Sequence, residues 1–268
     1  MPEVVVALLT PFDASNNVAL GALESHAEYL LERGITALMP CGTTGEGVLL
    51  DDDEVTRIVG HLVRIAHGRA RVLAHAGRAS TRATIGLARA VLDAGADAIS
   101  AVTPYYFKYG DAQLREHYLA LLRAVSAPLY AYTIPERTGN TLSADVVRQL
   151  GEAGLAGVKD STKSIEAHRE YLACGIDVLM GSDALVLDAF RLGAAGAVSA
   201  VANVDPRSLL EIAASVALDQ SPPAAEAQAR LNALRDRTRR ATSTIAGLKR
   251  ELAARLPGYP VHTRAPLA

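Results

Sequence analysis

Tryptophan is absent from this chain of 268 residues, phenylalanine occurs three times and cysteine twice. Cys41 and Cys174 lie far apart and form no metal-type spacing, so they read as two buried or half-buried thiols, which fits residence in the cytoplasm. Charge of one sign is missing too. Lys plus Arg (27) nearly balance Asp plus Glu (29), and no block of like charge appears, which argues against a nucleic-acid-binding or membrane-surface protein. Long apolar runs are lacking. The stretch Val4–Leu9 is too short for a signal core or a membrane span, and Met1-Pro2-Glu3 carries no basic residue ahead of it. The seven histidines are scattered, and only His75 falls near a strand end, which disfavours a metal-dependent mechanism. What is abundant is apolar residues, half of the chain, and 21 glycines, many placed just after apolar runs. That composition supports a large core in one domain.

The apolar residues are arranged as an alternation. Eight short runs are predicted as strands: Val4–Leu9, Ala37–Pro40, Val72–Ala76, Ala98–Val102, Leu129–Tyr132, Ala156–Val158, Val178–Met180 and Ala197–Ala200. Most are continuous rather than alternating, the pattern of strands buried on both faces of a parallel sheet. Between them lie segments with apolar spacing of three and four. Val55, Ile58, Val59, Leu62, Val63 and Ile65 form one such face, with acidic residues from Asp51 to Glu54 at its start, where they complement a helix dipole. Gly34, Gly68, Gly95 and Gly175 stand where left-handed helix ends are expected. Eight strand–helix units predict an α/β fold, a (β/α)8 TIM barrel over residues 1–205. An open doubly wound sheet would carry a glycine-rich turn after its first strand, and Thr10-Pro11-Phe12-Asp13 has none. Residues 206–268 are expected to be a C-terminal helical extension, two or three helices over Pro206–Arg255 packed on the barrel, followed by an irregular tail.

In such a barrel the active site lies at the C-terminal strand ends. Lys159 ends the sixth run, followed by Asp160, Ser161 and Thr162. A lysine there either snorkels to water or points its amine into the cavity; in the second case lost hydration disfavours the ammonium and frees a nucleophile able to form a Schiff base. The second strand runs into Gly42-Thr43-Thr44-Gly45-Glu46-Gly47, whose N–H groups and hydroxyls suit a carboxylate or phosphate, or simply make a tight turn. After the fourth strand come Tyr105 and Tyr106, one able to line the pocket and the other an interface. Tyr132, at the fifth strand's mouth, suits a proton carrier or a packed ring, and Arg137 a carboxylate clamp or a surface ion pair. Gly181-Ser182-Asp183 and Gly193–Gly196 read as packing turns or a phosphate cradle.

Taken in order, Gly42-Thr-Thr-Gly-Glu46, Pro104-Tyr-Tyr106, Tyr132-x-x-Pro-x-Arg-Thr-Gly139 and Gly157-Val-Lys-Asp160 resemble the dihydrodipicolinate synthase / N-acetylneuraminate lyase family, pyruvate-dependent class I aldolases on (β/α)8 barrels. The likeness runs from Val4 to about Asn203, and more loosely through Leu248-Lys249. It implies that Lys159 condenses with the ketone of pyruvate, so that the covalent imine replaces any cofactor or metal. It implies that Thr44 and nearby N–H groups, Gly42 included, hold the carboxylate, and that Tyr132 relays protons. Thr43 would link Tyr132 to Tyr106 of a neighbouring subunit, Arg137 would bind the carboxylate of an incoming aldehyde, and the backbone at Val198 would face the bound pyruvate. The partners implied are a 2-keto acid, an aldehyde and further copies of the chain, as dimer or tetramer.

The acceptor stays open at this point. Arg137 favours a dihydrodipicolinate-synthase-like reaction, while 2-keto-3-deoxy sugar acid or N-acetylneuraminate-type cleavage and a hydratase-aldolase or dehydratase reaction use the same imine. A barrel that only senses a keto acid is the non-enzymatic alternative. Gly47, Phe107 and Thr133 depart from the family's usual Ser, Asn and Asn, each removing a polar group expected near the acceptor. Ala79 and Ala83 stand where lysine-inhibited members carry an amide and a carboxylate, so lysine inhibition is not expected.

Overall fold

The computed structural model of the chain describes residues 1–267. Eight parallel strands close on themselves in sequential order: β1 (Glu3–Ala7), β2 (Ala37–Met39), β3 (Arg71–His75), β4 (Ala98–Val102), β5 (Leu129–Thr133), β6 (Gly157–Asp160), β7 (Asp177–Met180) and β8 (Gly196–Ser199). Closure is made by β1 on β8, in the register Val5↔Val198. This is the (β/α)8 barrel that the alternation predicted.

Each strand is followed by helix: α1 (Leu20–Leu31), α2 (Asp52–Ala66), α3 (Thr81–Asp93) and α4 (Asp111–Ala124) after the first four. A single turn, α5 (Pro135–Thr138), and α6 (Ala144–Glu152) follow β5, then α7 (Ile165–Leu172), α8 (Val186–Arg191) and α9 (Pro206–Ala217) follow β6, β7 and β8. Local chemistry sets these elements. On α2, Asp51 accepts the Glu54 N–H at 2.8 Å while the Glu54 carboxylate accepts the Asp51 N–H at 3.2 Å, a capping box. Its Val55, Ile58, Val59 and Leu62 are fully buried against the sheet, each contributing about 1.5–3 kcal/mol. Gly34, Gly68, Gly95 and Gly175 all have positive φ, as their places after helices required.

The boundary expected at residue 205 falls between β8 and its own helix. Helix α9 stands after β8 as each earlier helix stands after its strand. The appended part therefore begins with α10 (Ser221–Thr238) and α11 (Thr244–Ala253). Its tail returns to the barrel mouth, where Tyr259 is buried with its ring edge-on to His26 at 5.3 Å.

Two apolar layers result. The larger lies between sheet and helices, and the smaller fills the barrel with Val5, Ala37, Leu73, Ala98, Leu179 and Val198. Large and small side chains alternate in it. A Cβ on Gly157 would lie 2.8 Å from the Tyr130 ring, so the glycine makes room for that ring beneath the site. No helix among the described residues is long and apolar enough to cross a membrane.

Candidate active site

Lys159 points into the barrel. It pairs in register with Tyr132 on one side and Leu179 on the other. Residues alternate along a strand, so Asp160 and Thr133 point outward toward the helices. There Asp160 meets the His168 ring at 3.0 Å and accepts the Thr162 N–H at 2.9 Å, fixing the end of β6. Lys159 itself is 4 % exposed. Its Nζ lies 3.5 Å from the Met39 sulfur and 4.0 Å from the centre of the Tyr132 ring. Burial holds its pKa below the ordinary lysine value.

The Tyr132 hydroxyl meets Thr43 Oγ1 at 3.2 Å, so the strand-5 tyrosine and the glycine-rich loop are joined within one chain. Behind them the His75 ring packs edge-on against Tyr132 at 5.8 Å. Burial, with Lys159 adding to it, pushes the His75 pKa down to about 3, so this imidazole is neutral at ordinary pH.

The loop from Gly42 to Gly47 is tightly wound. Cys41 and Glu46 bracket it with φ of 60° and 57°, a left-handed backbone uncommon for residues with a Cβ. A Cβ on Gly47 would overlap the Cys41 carbonyl oxygen, which explains why glycine stands there in place of serine. Thr43 and Thr44 line the cavity, and their N–H groups have no hydrogen-bond partner among the described residues. Gly42 does not line the cavity: its carbonyl accepts the Gly47 N–H at 3.0 Å and closes the turn. Glu46 is held from below by Lys249 at 2.6 Å and by the Arg264 N–H at 2.8 Å.

Arg137, on α5, lines the outer cavity, and Val198 lines its floor. Asn140 fastens the loops of strands 4 and 5 together, donating to the carbonyls of Pro104 at 2.9 Å and Phe107 at 2.8 Å. Tyr106 is not in the cavity. It is 87 % exposed, with φ of 83° and its ring edge-on to Phe107. Phe107 and Thr133 do not line the cavity either. Phe107 faces solvent, and the buried Thr133 hydroxyl accepts the Leu142 N–H at 3.4 Å, so neither substitution alters the acceptor side within this chain.

The cavity measures about 400 Å³. It also takes in residues that sequence reasoning passed over. Asp183 lines it, half-buried and held by the Ser199 hydroxyl and the Val201 N–H, with its removal from water raising its pKa above the usual aspartate value. Its signal was the Gly181-Ser182-Asp183 turn, read only for its glycine. Lys163, Arg235 and Arg239 also line it. The two arginines stand far from every strand-end motif, and nothing local in the sequence points to them.

The sequence profile of the dihydrodipicolinate synthetase family matches residues 1–268. A 4-hydroxy-tetrahydrodipicolinate synthase of Methanothermobacter thermautotrophicus is 38 % identical over 210 residues, covering 75 % of this chain and 74 % of that protein. The crystal structure of dihydrodipicolinate synthase from Aquifex aeolicus superposes with a TM-score of 0.93 at 29 % identity, covering 100 % of this chain and 92 % of the other. A solved monomeric dihydrodipicolinate synthase variant matches with the same TM-score at 27 % identity, covering 100 % of this chain and 91 % of the other. With Lys159, Tyr132, Thr43 and Thr44 gathered at the mouth of a closed barrel, the chain belongs to the dihydrodipicolinate synthetase family, the class I pyruvate aldolases.

Proposed function

We propose that Lys159 forms a Schiff base with pyruvate and that the resulting enamine adds to an aldehyde bearing a carboxylate, the chemistry of a 4-hydroxy-tetrahydrodipicolinate synthase. The observation that carries this reading is an amine withdrawn from water, with no carboxylate within ion-pair distance among the described residues, opening on a cavity lined by Tyr132, Thr43 and Thr44.

The neutral amine attacks C2 of pyruvate, and the carbinolamine loses water to give a cationic imine. The imine draws electrons, so a methyl proton leaves and the enamine forms; its terminal carbon then bonds to the aldehyde carbon, and the aldehyde oxygen takes a proton. Tyr132 is the proton carrier, placed beside the amine and linked through Thr43 to the loop. Thr44 and the unpartnered loop N–H groups receive the keto-acid carboxylate. Arg137 receives the carboxylate of the acceptor as a planar fork. The imine does the electronic work, and no further cofactor or metal enters the scheme. The setting proposed is the cytoplasm, in keeping with two free thiols. Tyr106, exposed beside Phe107, is proposed to reach Thr43 of a second copy, and a monomer by light scattering at working concentration would remove that role.

Incubation with pyruvate and borohydride is expected to add a stable mass to the peptide carrying Lys159, and Lys159→Ala to abolish it. An adduct on another lysine, or none, sinks the reading. Aspartate semialdehyde is the first acceptor to test, and Arg137→Ala is expected to raise KM only for acceptors with an anionic far end.

A further inference from the structure

The outer half of the cavity carries more positive charge than one carboxylate calls for. Besides Lys159, four cationic side chains line it, Arg137, Lys163, Arg235 and Arg239, against two carboxylates, Glu136 and Asp183. Most of these charges have partners. Lys163 holds Glu136 at 2.5 Å, Arg235 meets Asp236 at 3.0 Å, and Asp183 is tied to Ser199 and the Val201 N–H. Arg137 and Arg239 have neither an ion pair nor a side-chain hydrogen bond among the described residues; the Glu136 pKa is lowered chiefly by its hydrogen bond from Lys163, and both arginines lie near enough to add to that.

The origin of these two groups matters. Arg137 sits on the turn after β5. Arg239 ends α10, four residues after Arg235, so the two face the same side of the helix end. The appended helices thus build one wall of the site, with Ile245 and Leu248 of α11 supplying its apolar part. A guanidinium is a rigid fork suited to two oxygens at once, and a single carboxylate occupies one fork. The second fork is left for another anionic group. At about 400 Å³ the cavity is within the usual range for small-molecule sites.

We propose that the acceptor aldehyde carries a doubly charged end, a phosphate monoester or a pair of carboxylates, held between Arg137 and Arg239. Arg235 adds to the field from deeper in the wall, where it also acts on Asp183. This rests on the Schiff-base reading above and sharpens its acceptor.

Trapping of the wild-type protein with pyruvate and borohydride comes first, because its failure sinks the Schiff-base reading independently of the charge question. With the adduct in hand, steady-state rates are measured for aldehydes of matched length whose far end is neutral, singly charged or doubly charged, the last as both phosphate and dicarboxylate. The doubly charged acceptors are expected to lead in kcat/KM by about tenfold or more over the singly charged one, and the faster of the two identifies the group. Arg239→Gln is expected to erase that lead through KM, Arg239→Lys to keep part of it, and added salt to shrink it. Inorganic phosphate should compete with the acceptor, and less well in Arg239→Gln. Equal rates for singly and doubly charged acceptors, or a lead unchanged in Arg239→Gln, would overturn the proposal. The position is exposed, so the variant should melt with the wild type, and a matched melting curve checks this.

Discussion

Two lysines of this protein are withdrawn from water, and their surroundings are opposite. Lys249, on α11, lies 2.6 Å from a Glu46 carboxylate oxygen and 2.6 Å from the His262 carbonyl, above the Phe12 ring. Lys159 has a thioether sulfur and a tyrosine ring for company. Burial lowers the pKa of both; what opposes it at Lys249 is a carboxylate in direct contact, Glu46, and at Lys159 the Tyr132 hydroxyl and the Asp183 charge, neither of them an ion-pair partner. The difference teaches that burial alone does not make an amine a nucleophile. Lys249 is a rivet, its ammonium committed to tying the C-terminal segment to the loop that carries Thr43 and Thr44. Lys159 has no carboxylate in ion-pair contact among the described residues, which leaves its charged form poorly compensated and a lone pair for a ketone.

The sharpest way to break this comparison is to make one substitution at both positions. Lys159→Met is expected to lower turnover by about 10⁴-fold or more while raising stability at pH 7 by about 1–2 kcal/mol, since an apolar side chain replaces an unpaired buried amine. The pH dependence has a definite sign. The folded pKa lies below the unfolded value, so between the two the unfolded chain binds more protons and stability rises with pH. The cost of burying this amine is therefore greatest below the folded pKa and fades as pH climbs toward the ordinary lysine value. Urea unfolding of wild type and Lys159→Met should converge at alkaline pH. A variant less stable than wild type at pH 7 would show that Lys159 is structural.

Lys249→Met is expected to do the reverse, costing about 3–5 kcal/mol because Glu46 is left charged and buried. The double variant Glu46→Gln with Lys249→Met should recover most of the loss. If the single variant lost less than about 1 kcal/mol in urea, the rivet would be refuted.

Tyr132→Phe keeps the ring beside the Lys159 amine and removes only the hydroxyl. A fall in kcat of about 10²–10³-fold is expected, with little change in melting, and an unchanged kcat would dismiss the proton-carrier role. Tyr132 and Lys159 were legible in sequence because the barrel puts the ends of consecutive strands in one place, so order along the chain already encodes proximity. Thr43, Thr44 and Arg137 were legible for the same reason. The helix after β8 falls with the extension in the sequence because nothing in its composition separates α9 from the helices after it. Asp183 was passed over because a carboxylate after two small residues looks like any turn. Arg235 and Arg239 were invisible because their nearness to the site depends on how α10 packs across the mouth, which no local pattern records. Tyr106 could be read as an interface residue only because two adjacent aromatic residues in a turn cannot both face one pocket.

The smallest effect expected at the site itself is at His75. Its ring packs edge-on against Tyr132 but stays neutral, with a pKa pushed down to about 3, so it neither takes up nor loses a proton between pH 5 and 8. His75→Phe preserves the ring contact and is expected to leave kcat within about threefold, with no limb of the pH profile removed. Its clearer signature is in stability. From pH 6.5 down to about 3 the unfolded chain protonates this imidazole and the folded one does not, so the native state loses stability as the pH falls. Phenylalanine has nothing to protonate. Unfolding free energies of His75→Phe should therefore fall less steeply with acid than those of wild type. His26 and His117, both pushed down to about 4 by burial, contribute to the slope that remains. A more than tenfold drop in kcat with the acid slope unchanged would turn the assignment around, making His75 part of the chemistry and not the support beneath it.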